Sequence, residues 1–381
     1  MRNRCGMRIL IDGIVFGRGA FGGVVNAWLE YIELFSAFDD FEVDIFVPVM
    51  AYERISGICQ GHQQMHAIPN RLIRPLRFWG RPSVRSKVLQ LHTRSLPIDI
   101  FHSTYYSTIY DHRATKMLTV YDMICELYHS PDTERWSARE IQLKRSALEN
   151  SDVIVTISEN TKRDLLNIYP WLSNRRIETI YLGVNLDKFA EPVSLDEVNA
   201  RYDLHLSPRS YFLFVGKRGG YKNFRLLMNL LRENAQYRES TFVCAGDALA
   251  GKDYLECTRT WPRQFHFLPF VEDGYLASLY RSAIALIYPS LYEGFGLPIL
   301  EAMASSCPVV CSNTSSLPEV AGNAALYFDP TSPASLFASL ELLRGSERSH
   351  WTDKGLVNAA KFSWQESVRK LMSLYRSTKH S

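Results

Sequence analysis

Short runs of apolar, often β-branched residues alternate along this chain with longer stretches of helical period. In the first half, Arg8–Ile11 (within Met7–Asp12), Val43–Val47, Ile98–His102, Met117–Tyr121, Val153–Ile157 and Ile177–Tyr181 predict strands. Between them, Val24–Phe35, Ser137–Glu149 and Glu159–Ile168 are amphipathic with helical spacing. Thr156–Ser158 followed by Glu159 and Asn160 predicts a strand tip running into a helix N-cap. The pattern restarts at Tyr211–Val215, passes a glycine-containing turn and predicts a helix over Asn223–Glu233. Strands are then predicted at Phe242–Ala245, Phe265–Phe267, Ala285–Tyr288 and Val309–Cys311, each followed by a helical segment. Such alternation calls for parallel sheets with helices on both faces. The fold class is therefore α/β, two doubly wound domains joined end to end, with the mixed polar stretch Asp187–Pro208 as linker. Ligands of such sheets bind beyond the carboxyl ends of the strands, which makes a cleft between the domains the expected site. The apolar positions Trp364, Val368, Leu371, Met372 and Tyr375 share one helix face, so Ser363–Tyr375 is expected to cap the structure.

Composition narrows the picture. The 381 residues are 46% hydrophobic and 22% charged, which excludes a disordered, collagen-like or coiled-coil chain. The net charge of +3 leaves no bulk attraction to nucleic acid. Seven cysteines are scattered, none in a CxxC pair, as in a reduced cytosolic enzyme. No apolar run approaches the ~18 residues of a membrane span, and the apolar stretch before Asp12 is too short for a signal-peptide core. Met1–Gly6 reads as a short tail, with Met1 or Met7 as the start.

The segment Tyr288–Pro330 is the richest in chemistry. A predicted strand feeds a tight turn containing Gly294 and Gly296, and Pro298 suits the first turn of a helix, where a missing N–H costs nothing. That helix aims free backbone N–H groups and its positive dipole end at the turn, as in phosphate-binding sites. Glu293 before the turn and Glu301 one turn into the helix could accept hydrogen bonds from hydroxyls flanking a bound diphosphate, the shape of a nucleotide sugar. A capped surface helix with two solvated glutamates fits the spacing equally well. Lys217 and Lys222 follow the strand Tyr211–Val215, where two lysines by themselves read as solvated surface. Gly17-Arg18-Gly19-Ala20-Phe21-Gly22 spells GxGxxG, but it begins too late after the strand for a dinucleotide turn, and no acidic residue ends the second predicted strand. Tyr121 and Asp122 sit at a strand tip, as does His102, a cleft candidate or a core histidine. No Asp-x-Asp pair is present to hold a divalent metal on a diphosphate. From Arg54 to Ile98 there is no acidic residue, while Arg71, Arg74, Arg77, Arg81, Arg85, Lys87 and Arg94 interleave with Leu76, Phe78 and Trp79. This stretch suits an anionic membrane surface or a solvated basic face.

Glu293-x7-Glu301 within EGFGLPILEAMA resembles the signature of the retaining glycosyltransferase family 4. Similar wording runs through PVVCSNTSSLPEVAG, FVGKRGGYKN, FHFLPFVEDGYLASLYRSA, SDVIVTISENTKRDL, YLGVNLDKF and FSWQESVRKLMSLYR. The resemblance implies a GT-B fold. It would have an acceptor-binding Rossmann-like domain over 1–190, a nucleotide-sugar-binding domain over 191–361, and a helix in 362–381 crossing back to the first. It implies donor-sugar contacts at Glu293, backbone contacts at Gly294, Phe295, Gly296 and Leu297, ribose hydroxyls on Glu301, and diphosphate on Lys217 and Lys222. The base would lie against Pro269–Val271, hence Phe270 and Val271, and the loop at Gly22 and Gly23 would close over the diphosphate. Lys217 stands where the family usually has arginine, and Tyr121, beside Asp122, where it often has histidine. The expected activity is transfer of a hexose from a GDP- or UDP-sugar, GDP-mannose among them, to a glycan or polyprenyl-linked acceptor of a bacterial surface polysaccharide. Glu293, Lys217, Lys222 and Asp122 are the expected catalytic residues. No metal or other cofactor and no nucleic-acid partner are expected, and the protein would be cytoplasmic and peripheral to the inner membrane face through Arg71, Arg74, Arg77 and Arg81. An epimerase on the same fold, an NAD-dependent oxidoreductase and a non-catalytic sugar-nucleotide-binding module are the rival readings.

Overall fold

The computed structural model describes residues 6–17, 22–48, 52, 56–59, 63–68, 96–109, 113–128, 134–218, 220–246 and 251–378. The chain divides into two compact units. The first runs to Gly183 and takes back the helix that begins at Trp364; the second is Val184–Ser363.

The first unit holds a seven-stranded parallel sheet: β1 Met7–Ile11, β2 Phe41–Pro48, β3 Gln63–Ile68, β4 Ile100–Ser103, β5 Thr115–Val120, β6 Val153–Thr156 and β7 Arg176–Thr179. Its order is β3-β2-β1-β4-β5-β6-β7. Strand β1 registers Ile9 against Val43 on one side and Ile100 on the other. The edge strand β3 has no counterpart in the hydrophobic pattern, because QQMHAI carries glutamine and histidine at positions that an edge strand leaves partly open to water. Asp12, just past β1, is fully buried and fastens the loop after β4. Its carboxylate accepts from the Thr104 backbone N–H at 2.9 Å, from the Ser103 hydroxyl at 3.1 Å, and from the Thr104 and Ser107 hydroxyls.

The helix Gly23–Phe35 buries Val25, Ala27, Trp28, Tyr31, Ile32 and Phe35, and the helix Trp364–Thr378 packs on it. Tyr31 meets Trp364 edge-on with ring centroids 5.6 Å apart and shares a 2.8 Å hydrogen bond with Ser367. Ser367 also donates to the Tyr181 carbonyl at 2.6 Å, and Arg376 pairs with Asp40 at 2.8 Å. His102 lies in this core, fully buried between the Tyr375 hydroxyl at 2.6 Å and the Thr119 hydroxyl at 2.8 Å. Burial drives its imidazole down to about 3, so it stays neutral and structural.

The second unit holds a six-stranded parallel sheet: β8 Tyr211–Val215, β9 Thr241–Ala245, β10 Phe265–Leu268, β11 Leu286–Tyr288, β12 Val309–Ser312 and β13 Leu326–Phe328. The order β10-β9-β8-β11-β12-β13 reverses direction at β8 and β11, the switch point at whose carboxyl ends such sheets bind ligands. Its core packs Phe212, Phe214, Phe224, Phe242, Leu227 and Leu231. The three-residue edge strand β13 was too short to stand out as a period.

The stretch predicted as a linker is ordered within this unit. Leu186–Ala190 and Leu195–Tyr202 are helices, the second opened by a capping box of Ser194 and Glu197. Phe189 packs edge-on to Tyr280 at 6.4 Å, Lys188 pairs with Asp273 at 2.5 Å, and the Val184 N–H donates to the Phe362 carbonyl at 2.9 Å. These contacts place 184–190 with the second unit, where the expected boundary lay after residue 190.

Candidate active site

Strand β11 ends at Tyr288, and the chain turns through 289–296 into the helix Leu297–Ala304. Gly296 caps that helix with φ +110°, and a Cβ there would lie 2.9 Å from a Leu317 methyl, so the turn requires glycine. Pro298 occupies the first turn as predicted. The turn is held from the loop after β12. Ser316 donates to the carbonyls of Glu293 at 2.9 Å and Phe295 at 2.8 Å, and the Glu293 N–H donates to Ser315 at 3.0 Å. From the other side, the Leu291 N–H donates to the Tyr221 carbonyl at 2.7 Å, and the Asn223 amide donates to the carbonyls of Pro289 and Pro330.

This bracing brings together two residues that stand 71 apart in sequence. The Lys222 ammonium donates to the Glu293 carboxylate at 2.7 Å and to the Tyr288 hydroxyl at 2.9 Å, with side chains only 13% and 10% exposed for the ion pair. The ammonium also sits over the Tyr288 ring, 5.1 Å from its centroid. Gly216, with φ +134°, lies beneath in a backbone conformation that favours glycine, and a Cβ there would make ordinary 3.5 Å contact with the lysine Cδ and Cε. Burial and the nearby Glu293 charge push the Tyr288 phenol well above its usual range, so it remains a neutral hydroxyl.

Glu301 lies on the next part of the same helix and accepts a 3.0 Å hydrogen bond from Tyr280. Burial lifts its carboxyl to about 7, with Asp273 adding to the rise, while Tyr280, Lys188 and Lys222 oppose it. A site therefore presents an ammonium for anionic oxygens, a carboxylate beside it, and a second carboxyl one turn into the helix. Tyr280, Tyr288, Ser315 and Ser316 were not singled out from sequence. Their only advance trace is a polar group at a strand tip, in a loop between elements or, for Tyr280, on a helix.

The other expected site residues are placed as follows. Lys217 is exposed just past β8, whereas its neighbour Arg218 is buried over the Phe267 ring at 4.9 Å. Phe270 is 47% exposed and Val271 partly so, in the loop after β10. Gly294, Phe295 and Gly296 are buried in the turn and Leu297 is half-buried. In the first unit, Gly22 and Gly23 are exposed at the start of the helix Gly23–Phe35, while 18–21 of the GRGAFG loop lie outside the described residues. Asp122, just past β5, is half-buried, and its carboxylate accepts from the Ile124 N–H at 3.0 Å. Tyr121 departs from the expected sugar contact: it is 3% exposed and its hydroxyl accepts from the Trp28 indole N–H, which draws the ring into the core. Behind Asp122, Lys144 is buried and donates to the Asp122 carbonyl at 2.8 Å and the Glu126 carboxylate at 2.7 Å. Arg71, Arg74, Arg77 and Arg81 lie outside the described residues. Among the described residues no three His, Cys, Asp or Glu side chains gather as metal ligands, and no helix is long and apolar enough to cross a membrane.

Solved structures share this architecture. Sucrose-phosphate synthase from Thermosynechococcus elongatus superimposes with a TM-score of 0.74 at 18% identity, covering 98% of each chain. Anabaena HepE, solved in complex with UDP and glucose, superimposes with a TM-score of 0.69 at 16% identity, covering 97% of this chain and all of that one. Two parallel α/β units of this kind make the fold that of the GT-B glycosyltransferases.

Family models described as "Glycosyltransferase Family 4" and "Glycosyl transferases group 1" match residues 21–188 and 202–377. The chain belongs to the family 4, group 1 glycosyltransferases. It is 29% identical over 279 residues to O-antigen chain mannosyltransferase B of Escherichia coli, a match covering 70% of this chain and 71% of that protein. Matches to five other curated relatives span between 56% and 61% of their lengths.

Proposed function

We propose that this glycosyltransferase moves a hexose from a GDP- or UDP-sugar to a glycan or polyprenyl-linked acceptor, with retention at the anomeric carbon, during assembly of a bacterial surface polysaccharide. The observation that carries the reading is the Lys222–Glu293 contact at the head of the helix Leu297–Ala304. It sets a cation for the diphosphate beside a carboxylate for the sugar hydroxyls. The E. coli relative, an O-antigen mannosyltransferase by name, supports the polysaccharide setting and a mannose donor. HepE, solved with UDP, supports a nucleotide-bound leaving group.

In the reaction, the bond from the anomeric carbon to the diphosphate oxygen breaks and a bond to the acceptor hydroxyl oxygen forms on the same face. The acceptor proton passes to the departing phosphate oxygen. Lys222, the exposed Lys217 and the N-terminal end of the helix stabilise the negative charge that develops there. Glu293 orients the hexose and Glu301 holds the ribose hydroxyls. Phe270 and Val271 flank the base. No divalent metal is required, because lysines and helix end supply the counter-charge. The basic stretch with Arg71, Arg74, Arg77 and Arg81 brings the enzyme to anionic lipid on the cytoplasmic side.

The test is a thermal-shift screen against GDP-, UDP- and dTDP-sugars and NADH, followed by transfer of labelled sugar to lipid-linked acceptor. Selective stabilisation by one nucleotide sugar is expected, since a ligand of the folded state raises its melting temperature. Transfer should then occur, and Glu293→Ala should abolish it while the protein stays folded. Stabilisation by NADH alone, epimerised sugar without transfer, or full activity in a folded Glu293→Ala variant overturns the reading.

A further inference from the structure

Lys222 serves two masters in the proposed reaction. Its ammonium is the cation placed for a diphosphate, yet it is already bonded to Glu293 at 2.7 Å, in a setting where both side chains are nearly buried. Glu293 is itself the group placed for the donor's sugar. An ion pair so shielded from water is not screened as a surface pair is, and a diphosphate approaching Lys222 meets both a shared cation and a neighbouring negative charge. The Tyr288 hydroxyl accepts from the ammonium at 2.9 Å and bonds the Glu293 carboxylate as well; being neutral, it leaves Lys222 as the one cation for which the two anions compete at this contact.

Resting on the donor-site reading above, we propose that Glu293 and the nucleoside diphosphate compete for the Lys222 ammonium, which makes Glu293 a release device as well as a sugar contact. With an intact donor, sugar hydroxyls engage the Glu293 carboxylate and the diphosphate takes Lys222. Once the hexose has left, Glu293 is left to Lys222 and the neutral Tyr288 hydroxyl. The carboxylate then draws the ammonium back and weakens the hold on the product diphosphate. The site thereby favours nucleotide sugar over spent nucleotide, and two side chains of the same pocket set that preference.

The experiment is calorimetric titration of GDP and UDP into the full chain, as wild type, Glu293→Gln, Lys222→Gln and the double variant, with guanosine and uridine as controls and a melting curve for each protein. Glu293→Gln should tighten diphosphate binding about tenfold, a difference of about 1.4 kcal/mol, and leave the nucleosides unchanged. Lys222→Gln should weaken it, and in that background Glu293→Gln should produce at most a small tightening, so that the two changes are strongly non-additive. Should the Gln variant not fold, Glu293→Ala reads the same quantity. Equal tightening with and without Lys222 would mean simple repulsion and overturn the competition. So would unchanged or weaker binding in Glu293→Gln, although diphosphate binding that still needs Lys222 would leave the donor site standing. If neither diphosphate binds the wild type, or Lys222→Gln changes nothing, the donor-site reading falls and this inference with it.

Discussion

Glu301→Gln should make the protein more stable in a pH-dependent way. The carboxyl sits against the helix Asp273–Ser282, bonded to Tyr280, with Asp273 raising its proton affinity and Lys188 and Lys222 lowering it. Its ordinary value is 4.5 and the folded value is about 7. Between these values the unfolded chain has released the proton while the folded chain keeps it. The folded state therefore binds more protons, and stability falls as pH rises through that window. The interval corresponds to as much as roughly 3 kcal/mol, lost in full above the folded value. Glutamine has the same shape, keeps an acceptor for Tyr280 and never ionises. Near pH ~4 the two proteins should match; near pH ~8 the variant should be more stable by up to about 3 kcal/mol, or several degrees in melting temperature at ~2–4 °C per kcal/mol. Other titrating groups cancel in the comparison. The assay is denaturant and thermal unfolding of both proteins across that pH range. A difference that stays flat with pH, or a variant less stable at the alkaline end, refutes the reasoning. Under the proposed function the same change should cost donor affinity, the usual trade between stability and a binding group.

Three further outcomes are expected. Gly296→Ala should destabilise the second unit by roughly 1–3 kcal/mol and remove activity, because of the positive φ and the Leu317 contact, as read by its unfolding midpoint; a neutral substitution would mean that the turn is not braced. Transfer should persist in EDTA, and loss that Mg²⁺ or Mn²⁺ restores would disprove metal-independence. Co-sedimentation with anionic vesicles should fall with salt and on changing Arg74, Arg77 and Arg81 together to Ser, since screening shortens from ~10 Å at 0.1 M to ~3 Å at 1 M. Binding indifferent to lipid charge would leave that stretch a solvated face.

What could be read from the chain was what local order encodes. The turn with Gly296, the proline behind it and the spacing of Glu293 and Glu301 lie within a few residues, and they fold as expected. Most central strands announced themselves as continuous apolar runs, because a parallel sheet buries both faces. The edge strands β3 and β13 did not, one being half-polar and the other three residues long. The partners of the site residues come from other elements distant in sequence, and no local pattern links Tyr288 to Lys222, Tyr280 to Glu301, or Ser316 to the turn. Tyr121 illustrates the same limit: its position at a strand tip was legible, but the Trp28 indole that claims its hydroxyl lies 93 residues away.

The helix Trp364–Thr378 has a consequence for how the protein is born. It supplies Tyr375 to His102 and Ser367 to Tyr31, so the first unit's core stays open along one side until this helix emerges from the ribosome. All of Val184–Ser363 is made in between. At elongation rates of ~5–20 residues per second, that is a wait of roughly ten to thirty-five seconds. During it Tyr31 and Phe41 lack the Trp364 and Tyr375 rings that pack on them, while the second unit can fold without delay. A premature stop near residue 360 would therefore wreck the half of the protein that was synthesised first.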